Sequence, residues 1–401
     1  MSVTQFLSPY EADKVLSGVL NALPVKRPNW FQTFFTDGGS TNKTTVNFDQ
    51  EYGTKNVMGM FVDPKADANP IKLPTFGHKE LTFAYTKEAI DSDEFDQLNS
   101  RQLGDAFGQV DVMRNKASRF IKKVALAEQR FENLFEKTAV EISLYGGYVA
   151  QSEKHPLVKY DFARTKATLA SELVGADALD LVPSVNLTTT AVTAPWGDTI
   201  LPVVATDGGL SFTAGDKAWN KTNIDAGDAT PVLDVTKMVQ TCNERATASA
   251  IHMSDDAYQW FNYDVNTNYK DAASLIISTI QSVSLEIMPT LKNVKGLTFR
   301  RMWTLDNGQT VPIYTYNAVY HDRDTGTETK YVGSGWVVVL PDSGGLKIYG
   351  RIMHPRASWE AMPRWMNYWQ NMKTGEEEWE IHSAFLMGHT QMDALVAWKV
   401  A

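Results

Sequence analysis

The sequence predicts an α+β fold, and three patterns in it lead there. Apolar and polar residues alternate around Val46 and Phe48 and again at Leu81, Phe83 and Tyr85, the period of a strand. A stretch without proline, about Gln109 to Tyr145, carries Phe120, Val124, Ala127, Phe131, Leu134, Thr138 and Ile142 at steps of three or four. That is the period of a helix with one apolar face. Beyond it helix-like and strand-like segments interleave, and a β pattern from about Trp379 to Val400 closes the chain.

Residues 1–45 combine a short amphipathic piece, Tyr10 to Leu23, with an aromatic cluster of Trp30, Phe31, Phe34 and Phe35. The run Asp37-Gly38-Gly39-Ser40-Thr41-Asn42 is turn chemistry. An aromatic arm with no sustained period buries poorly on its own domain, so it is expected to pack on a neighbour. The strands that follow flank Asp63-Pro64-Lys65-Ala66-Asp67-Ala68-Asn69-Pro70, whose two prolines break β structure. Together they read as an extended hairpin, too thin to be stable without support from another surface.

Ser92-Asp93-Glu94 offers cap chemistry for a short helix ahead of the long one. The pair Gly146-Gly147 supplies the stop of the long helix. About thirty-six residues at about 1.5 Å each make a rod of roughly 54 Å. Arg114, Lys116, Arg119, Lys122 and Lys123 form a basic run near its start, and Glu128, Glu132, Glu136 and Glu141 follow beside Arg130 and Lys137. The helix dipole favours the opposite order. Either the charges form a solvated face, or the basic end meets an acidic neighbour or scaffold.

Residues 165–228 are rich in Ala, Thr, Gly, Val and Asp, with strands expected over Leu187–Thr193 and Ile200–Thr206. From Val232 to Asp271 the pattern alternates helix, strand (Ala250–Met253) and helix, with Ser254 as a cap. A further helix is expected over Ser274–Met288, then strands around Thr298–Trp303, Val311–Tyr320 and Thr329–Leu340.

The composition speaks against several function classes. A net charge of -9 lacks the basic footprint of a nucleic-acid binder, though an acidic inner wall suits a container that must release DNA. The single Cys242 excludes a disulfide framework or a cysteine-cluster metal site. The start MSVTQFLSPY has no signal-peptide pattern, and no window reaches the roughly eighteen apolar residues of a membrane span. A soluble product made in a reducing cytoplasm is expected.

Seven histidines stand at no metal-ligand spacing, and no nucleotide-binding or catalytic motif appears, so neither cofactor nor catalytic site is expected. Asp322-Arg323-Asp324-Thr325-Gly326 begins like a calcium loop but has Gly333 where the twelfth-position glutamate belongs, and reads as a hairpin turn. Eleven tryptophans and the run Glu376, Glu377, Glu378 and Glu380 raise the alternative of a carbohydrate-active enzyme or sugar-binding β-protein. Carboxylates in one run cannot straddle a glycosidic bond, and a solvated acidic turn is the simpler reading.

Several fragments fall in a familiar order. Trp30-Phe31-Gln32-Thr33-Phe34-Phe35 precedes Thr44-Thr45-Val46-Asn47-Phe48-Asp49, and Phe61-Val62-Asp63-Pro64 is followed by Leu81-Thr82-Phe83-Ala84. Gly344 to Gly350, Pro363-Arg364-Trp365, Ser383 to Met387 and Asp393 to Val396 come later. In this order the chain resembles the major capsid proteins of tailed bacteriophages, specifically the phage lambda capsid protein family.

The resemblance implies a Hong Kong 97-like capsid fold. Its parts would be an N-terminal arm (1–45), an extended loop (46–88) and a peripheral domain (89–230) with a spine helix at about 109–145 and an insertion at 165–228. An axial domain (231–375) and return strands of the peripheral domain (376–401) complete it. It also implies hexamers and pentamers of this chain closing into an icosahedral head around double-stranded DNA. The expected partners are a separate scaffolding protein, a portal and a decoration protein, with only non-specific contact to DNA. Trp30, Phe34, Phe61, Pro64, Pro74, Arg114, Lys116, Arg119, Lys122 and Lys123 are the residues expected at assembly interfaces.

Overall fold

The computed structural model describes residues 29–51, 76–92, 112–152, 155–162, 164, 184–201, 205–207, 210–212, 217–269, 294, 296–305, 308–322, 326–370 and 377–401. The amphipathic piece Tyr10–Leu23, the hairpin tip, the short helix after Ser92 and the helix expected over Ser274–Met288 lie outside the described residues.

A 3₁₀ turn (Phe31–Phe34) leads into β1 (Phe35–Ser40). Strand β2 (Thr45–Glu51) pairs antiparallel with β3 (Phe76–Thr82), the base of the expected hairpin, and β4 (Ala84–Ser92) follows. Helix α1 spans Val112–Tyr145. A hairpin of β5 (Gly147–Ser152) and β6 (His155–Asp161) comes next. Five short strands follow: β7 (Ser184–Asn186), β8 (Val192–Thr193), β9 (Thr199–Ile200), β10 (Ala205–Asp207) and β11 (Leu210–Phe212).

The continuous strand expected over Leu187–Thr193 is broken by side-chain chemistry. Asn186 donates to the carbonyls of Thr190 (2.9 Å) and Ile200 (3.1 Å) and accepts from the Thr188 N–H (3.1 Å). Such bonds compete with a ladder and turn the chain.

Helix α2 (Lys221–Ala226) falls where only strands and turns are expected, and from there the chain alternates as expected: α3 (Pro231–Asn243), β12 (Ala248–Met253) and α4 (Asp255–Asn268). Proline opens α3, where its missing N–H costs nothing. Ser254 caps α4 by accepting from the Ala257 N–H. Strands β13 (Leu297–Thr304), β14 (Thr310–Tyr316), β15 (Val319–His321), β16 (Glu328–Lys330), β17 (Trp336–Pro341) and β18 (Gly345–Tyr349) follow. The chain ends with β19 (Trp365–Gln370), β20 (Glu377–His389) and β21 (Val396–Lys399). Asp322 and Gly326 sit in the turn between β15 and β16, a hairpin and not a calcium loop.

Two sheets carry the molecule. The six-stranded sheet runs β13-β14-β12-β17-β21-β7. In the five-stranded sheet the order is β1-β18-β20-β19, with β4 also pairing β20. The boundary expected at residue 375 does not follow these sheets. Strands β18 and β19 already belong with β20, while β21 leaves them and joins β17. A 3₁₀ turn at Met392–Ala394 redirects the chain between the two. Glu377–Glu380 are likewise not a solvated turn, because they lie in β20, paired on one side with β19 and on the other with β4.

Strand periodicity sorts the side chains of the six-stranded sheet onto two faces. Ile251, Met253, Val311, Ile313, Val337, Val339, Val396 and Trp398 pack with α3 and α4. On the other face Tyr316, Trp336, Val338, Leu340 and Ala397 meet α1 and the five-stranded sheet's Phe385, Leu386 and Met387. The middle of α1 sits on the five-stranded sheet through Val124, Ala127, Phe131, Met366 and Ile381. The helix ends at Gly146, in the left-handed region (φ 79°), where a Cβ would meet Arg164 at 2.7 Å. Buried Arg164 donates to the carbonyls of Ser143 and Leu144, groups that the helix itself cannot satisfy. Among the described residues no helix is long and apolar enough to cross a membrane.

Candidate functional site

The most constrained polar site lies where the chain enters the described structure, between Asn29 and Phe35. The turn Phe31–Phe34 has no side-chain cap of its own. The amides at its start are instead met by a carboxylate from α1. Glu136 accepts from the N–H groups of Trp30 (3.0 Å), Phe31 (2.9 Å) and Gln32 (3.0 Å). The hydroxyl of Tyr316 in β14 also donates to Glu136, at 2.7 Å. Glu136 is fully buried, and burial pushes its pKa up against the pull of these four donors.

Four and eight residues earlier, on the same side of the helix, stand Glu132 and Glu128, both buried. Gln32 donates to the Glu132 carboxylate (2.8 Å) and Asn29 to its backbone carbonyl (2.7 Å). Arg364, ahead of β19, pairs with Glu132 (2.9 Å) and with Glu128. Its guanidinium also lies over the Phe131 ring, 5.2 Å from the centroid. The three glutamates therefore form a ladder along α1, each rung tied to another part of the chain.

Sequence reasoning left open whether these acids were a solvated helix face, and the structure turns three of them inward. A signal was present: residues 128, 132 and 136 follow the same four-residue step as Phe131 and Phe135 beside them. Glu141 is the fourth acid, 3.9 Å from Lys137, and burial raises its pKa to about 7.

The aromatic segment packs on its own subunit. Phe31 is fully buried, Phe35 is buried, and Trp30 and Phe34 are half-buried against the same core. Trp30 donates its indole N–H to Nε2 of His252, and His252 stacks on Tyr314 with centroids 5.6 Å apart. Burial pushes the His252 pKa down to about 3, which keeps the ring neutral. An amphipathic signal was missing here because the partners come from separate elements about 100 residues or more away, α1, β12, β14 and β20 among them.

The root of the hairpin is held by a second polar group. The Tyr85 hydroxyl in β4 meets Nδ1 of His382 at 2.6 Å, and Nε2 of His382 meets Glu380 at 3.1 Å. Lys87 pairs with Glu380 (2.6 Å), and Arg130 of α1 reaches Glu88 (2.9 Å). Burial pulls the His382 pKa down to about 4 and pushes Tyr85 up to about 12, so neither is poised for acid–base chemistry near neutrality.

Of the other residues expected at interfaces, Phe61, Pro64 and Pro74 lie outside the described residues. Arg114, Lys116 and Arg119 lie within α1, with side chains outside the description, and Lys122 and Lys123 are exposed on it.

Comparison with known proteins bears on this architecture. Residues 211–400 match the family described as phage major capsid protein E. A protein of an E. coli CFT073 prophage, assigned as its capsid protein, superposes with a TM-score of 0.62 at 14% identity, over 95% of this chain and 96% of that one. A phage-related protein of Bordetella bronchiseptica RB50 gives 0.47 at 11% identity (97% and 96% covered). The mature capsid of bacteriophage PhiM1 gives 0.42 at 10% (92% and 86%). No curated protein matches the sequence. The fold is the Hong Kong 97-like capsid fold.

Proposed function

We infer that this chain is a phage major capsid protein, a shell subunit that acts through contacts with copies of itself. The observation that carries the reading is the match of residues 211–400 to the phage major capsid protein E family, within a fold shared over 95% of the chain with the prophage protein. Copies associate as hexamers and pentamers that close into an icosahedral head around double-stranded DNA. Contacts of this kind are heterologous, and they close only where the angles between subunits permit.

The chain does no chemistry in this reading. Its polar clusters are tied into pairs and ladders that hold elements in place, and the carbohydrate-active alternative gains nothing from them. Glu380, one of the acids behind that alternative, is engaged by Lys87 and His382. Assembly takes place in the host cytoplasm with a separate scaffolding protein, a portal and a decoration protein. With -9 charges per copy, contact with packaged DNA is non-specific and weak.

The hairpin carried by β2 and β3 extends over a neighbouring subunit. Its paired base, from Thr45 opposite Thr82 to Glu51 opposite Phe76, supports this, since a two-stranded element needs another surface. Deleting Pro64 to Pro74 tests it by sedimentation: folded monomers are expected where the full chain forms particles. Normal particles from the deletion would remove the hairpin from the assembly contacts.

A further inference from the structure

The glutamate ladder on α1 joins two sheets through one rod. Glu128 and Glu132 hold Arg364, which leads into β19 of the five-stranded sheet. Glu136 holds Tyr316, the last residue of β14 in the six-stranded sheet. The rungs at residues 128 and 136 are about 12 Å apart along the helix. Between them the arm segment is bolted to the same rod by Asn29, Gln32 and three backbone amides.

Apolar packing also joins α1 to both sheets, but it is non-directional and tolerates small slides. Hydrogen bonds and ion pairs to buried carboxyl groups do not, because a shifted partner leaves a polar group unmet in a dry site. All three carboxylates are buried, and Glu136 is fully so. The ladder is therefore the part of the contact that selects one angle between the sheets out of the several that packing alone would allow.

Resting on the shell reading above, we propose that the ladder of Glu128, Glu132 and Glu136 sets the angle between the two sheets and thereby the curvature and size of the closed shell. A subunit repeated many times converts a small change of internal angle into a change of radius. A loosened rung thus gives shells of mixed diameter, or open tubes, from a subunit that still folds.

The test uses the full chain with Glu136→Gln and, separately, Arg364→Lys. The amide keeps the shape of Glu136 but replaces one acceptor with a donor. The lysine keeps the charge but loses the fork that spans two carboxylates. Particle diameters are measured by electron microscopy, and folding of the unassembled subunit by circular dichroism and thermal melting. The expected result is a folded subunit whose particles spread in diameter or fail to close, with faster amide exchange at Trp30, Phe31 and Gln32 in Glu136→Gln. Should Glu136→Gln not fold, Tyr316→Phe, which removes one donor from the same rung, gives the same readout. Particles of unchanged, narrow diameter from the folded variants would overturn the proposal while leaving the shell reading intact. Absence of any particle from the unmodified chain, with the proposed scaffolding protein present, would instead sink the shell reading, and this inference with it.

Discussion

The indole N–H of Trp30 donates to Nε2 of His252 at 2.5 Å, joining residues 222 positions apart. This bond fixes the tautomer of a histidine that burial keeps uncharged, and it seats the arm on β12. Trp30→Phe keeps most of the ring but removes the donor, leaving a buried acceptor unmet. A loss of about 1–3 kcal/mol is expected. Urea unfolding followed by far-UV circular dichroism checks it, and an unchanged midpoint would mean that the bond adds nothing.

Phe131 is 2% exposed and packs with Val124, Ala127, Met366 and Ile381 beneath Arg364. Phe131→Ala leaves a cavity under the first rungs of the ladder and is expected to cost about 3–5 kcal/mol. A negligible shift in the unfolding midpoint would contradict the packing described for this part of α1.

The pH dependence of stability divides into two opposed parts. Burial holds His382 and His389 at about 4 and His252 at about 3, below their ordinary 6.5. Between pH 6.5 and those values the unfolded chain takes up protons that the folded chain refuses, so stability falls as pH falls. Glu141 and Asp234 are held up at about 7 and about 6, above their ordinary 4.5 and 3.8. Their contribution is complete below the ordinary values and lost as pH rises through the raised ones.

Above pH 6.5 the raised carboxyls act, the buried Glu136 among them, and Glu141 at about 7 titrates within this range. Glu141→Gln is therefore expected to flatten the loss of stability between pH 6 and pH 8. Equal losses in both proteins, measured as denaturant midpoints, would show that Glu141 titrates normally.

Association is expected to be hindered at very low ionic strength and favoured by moderate salt. Copies carrying -9 charges repel, and salt screens that repulsion over a Debye length of about 10 Å at 0.1 M. Light scattering against salt concentration reads it out. Assembly that is best without salt and abolished by about 0.3 M would point to opposite-charge pairing, with Lys122 and Lys123 on the exposed side of α1 the first residues to replace.

The elements legible in the sequence are those whose signal is local. The stripe from Val124 to Ile142 faces inward as its spacing says, and Gly146 ends the helix. Ser254 caps α4, and β13 falls where the pattern placed it, while the strand expected over Val311–Tyr320 is split into β14 and β15, which pair in different sheets. What was not legible depends on partners distant in sequence. The burial of Glu136 needs amides from Trp30 to Gln32 and a hydroxyl from Tyr316, none of which a window around residue 136 contains. The same holds for the aromatic segment, whose irregular spacing suggested an outside partner because its real partners are distant elements of its own chain, α1, β12, β14 and β20 among them. The switch of β21 from one sheet to the other was hidden too, since a strand's pattern says how it alternates and not which sheet it joins.

Electron microscopy of the expressed full chain, alone and with the scaffolding protein proposed above, tests the central claim most directly. The account predicts closed shells or rings built from six- and five-fold clusters of this subunit. Compact monomers at every concentration, with scaffold present, would contradict it.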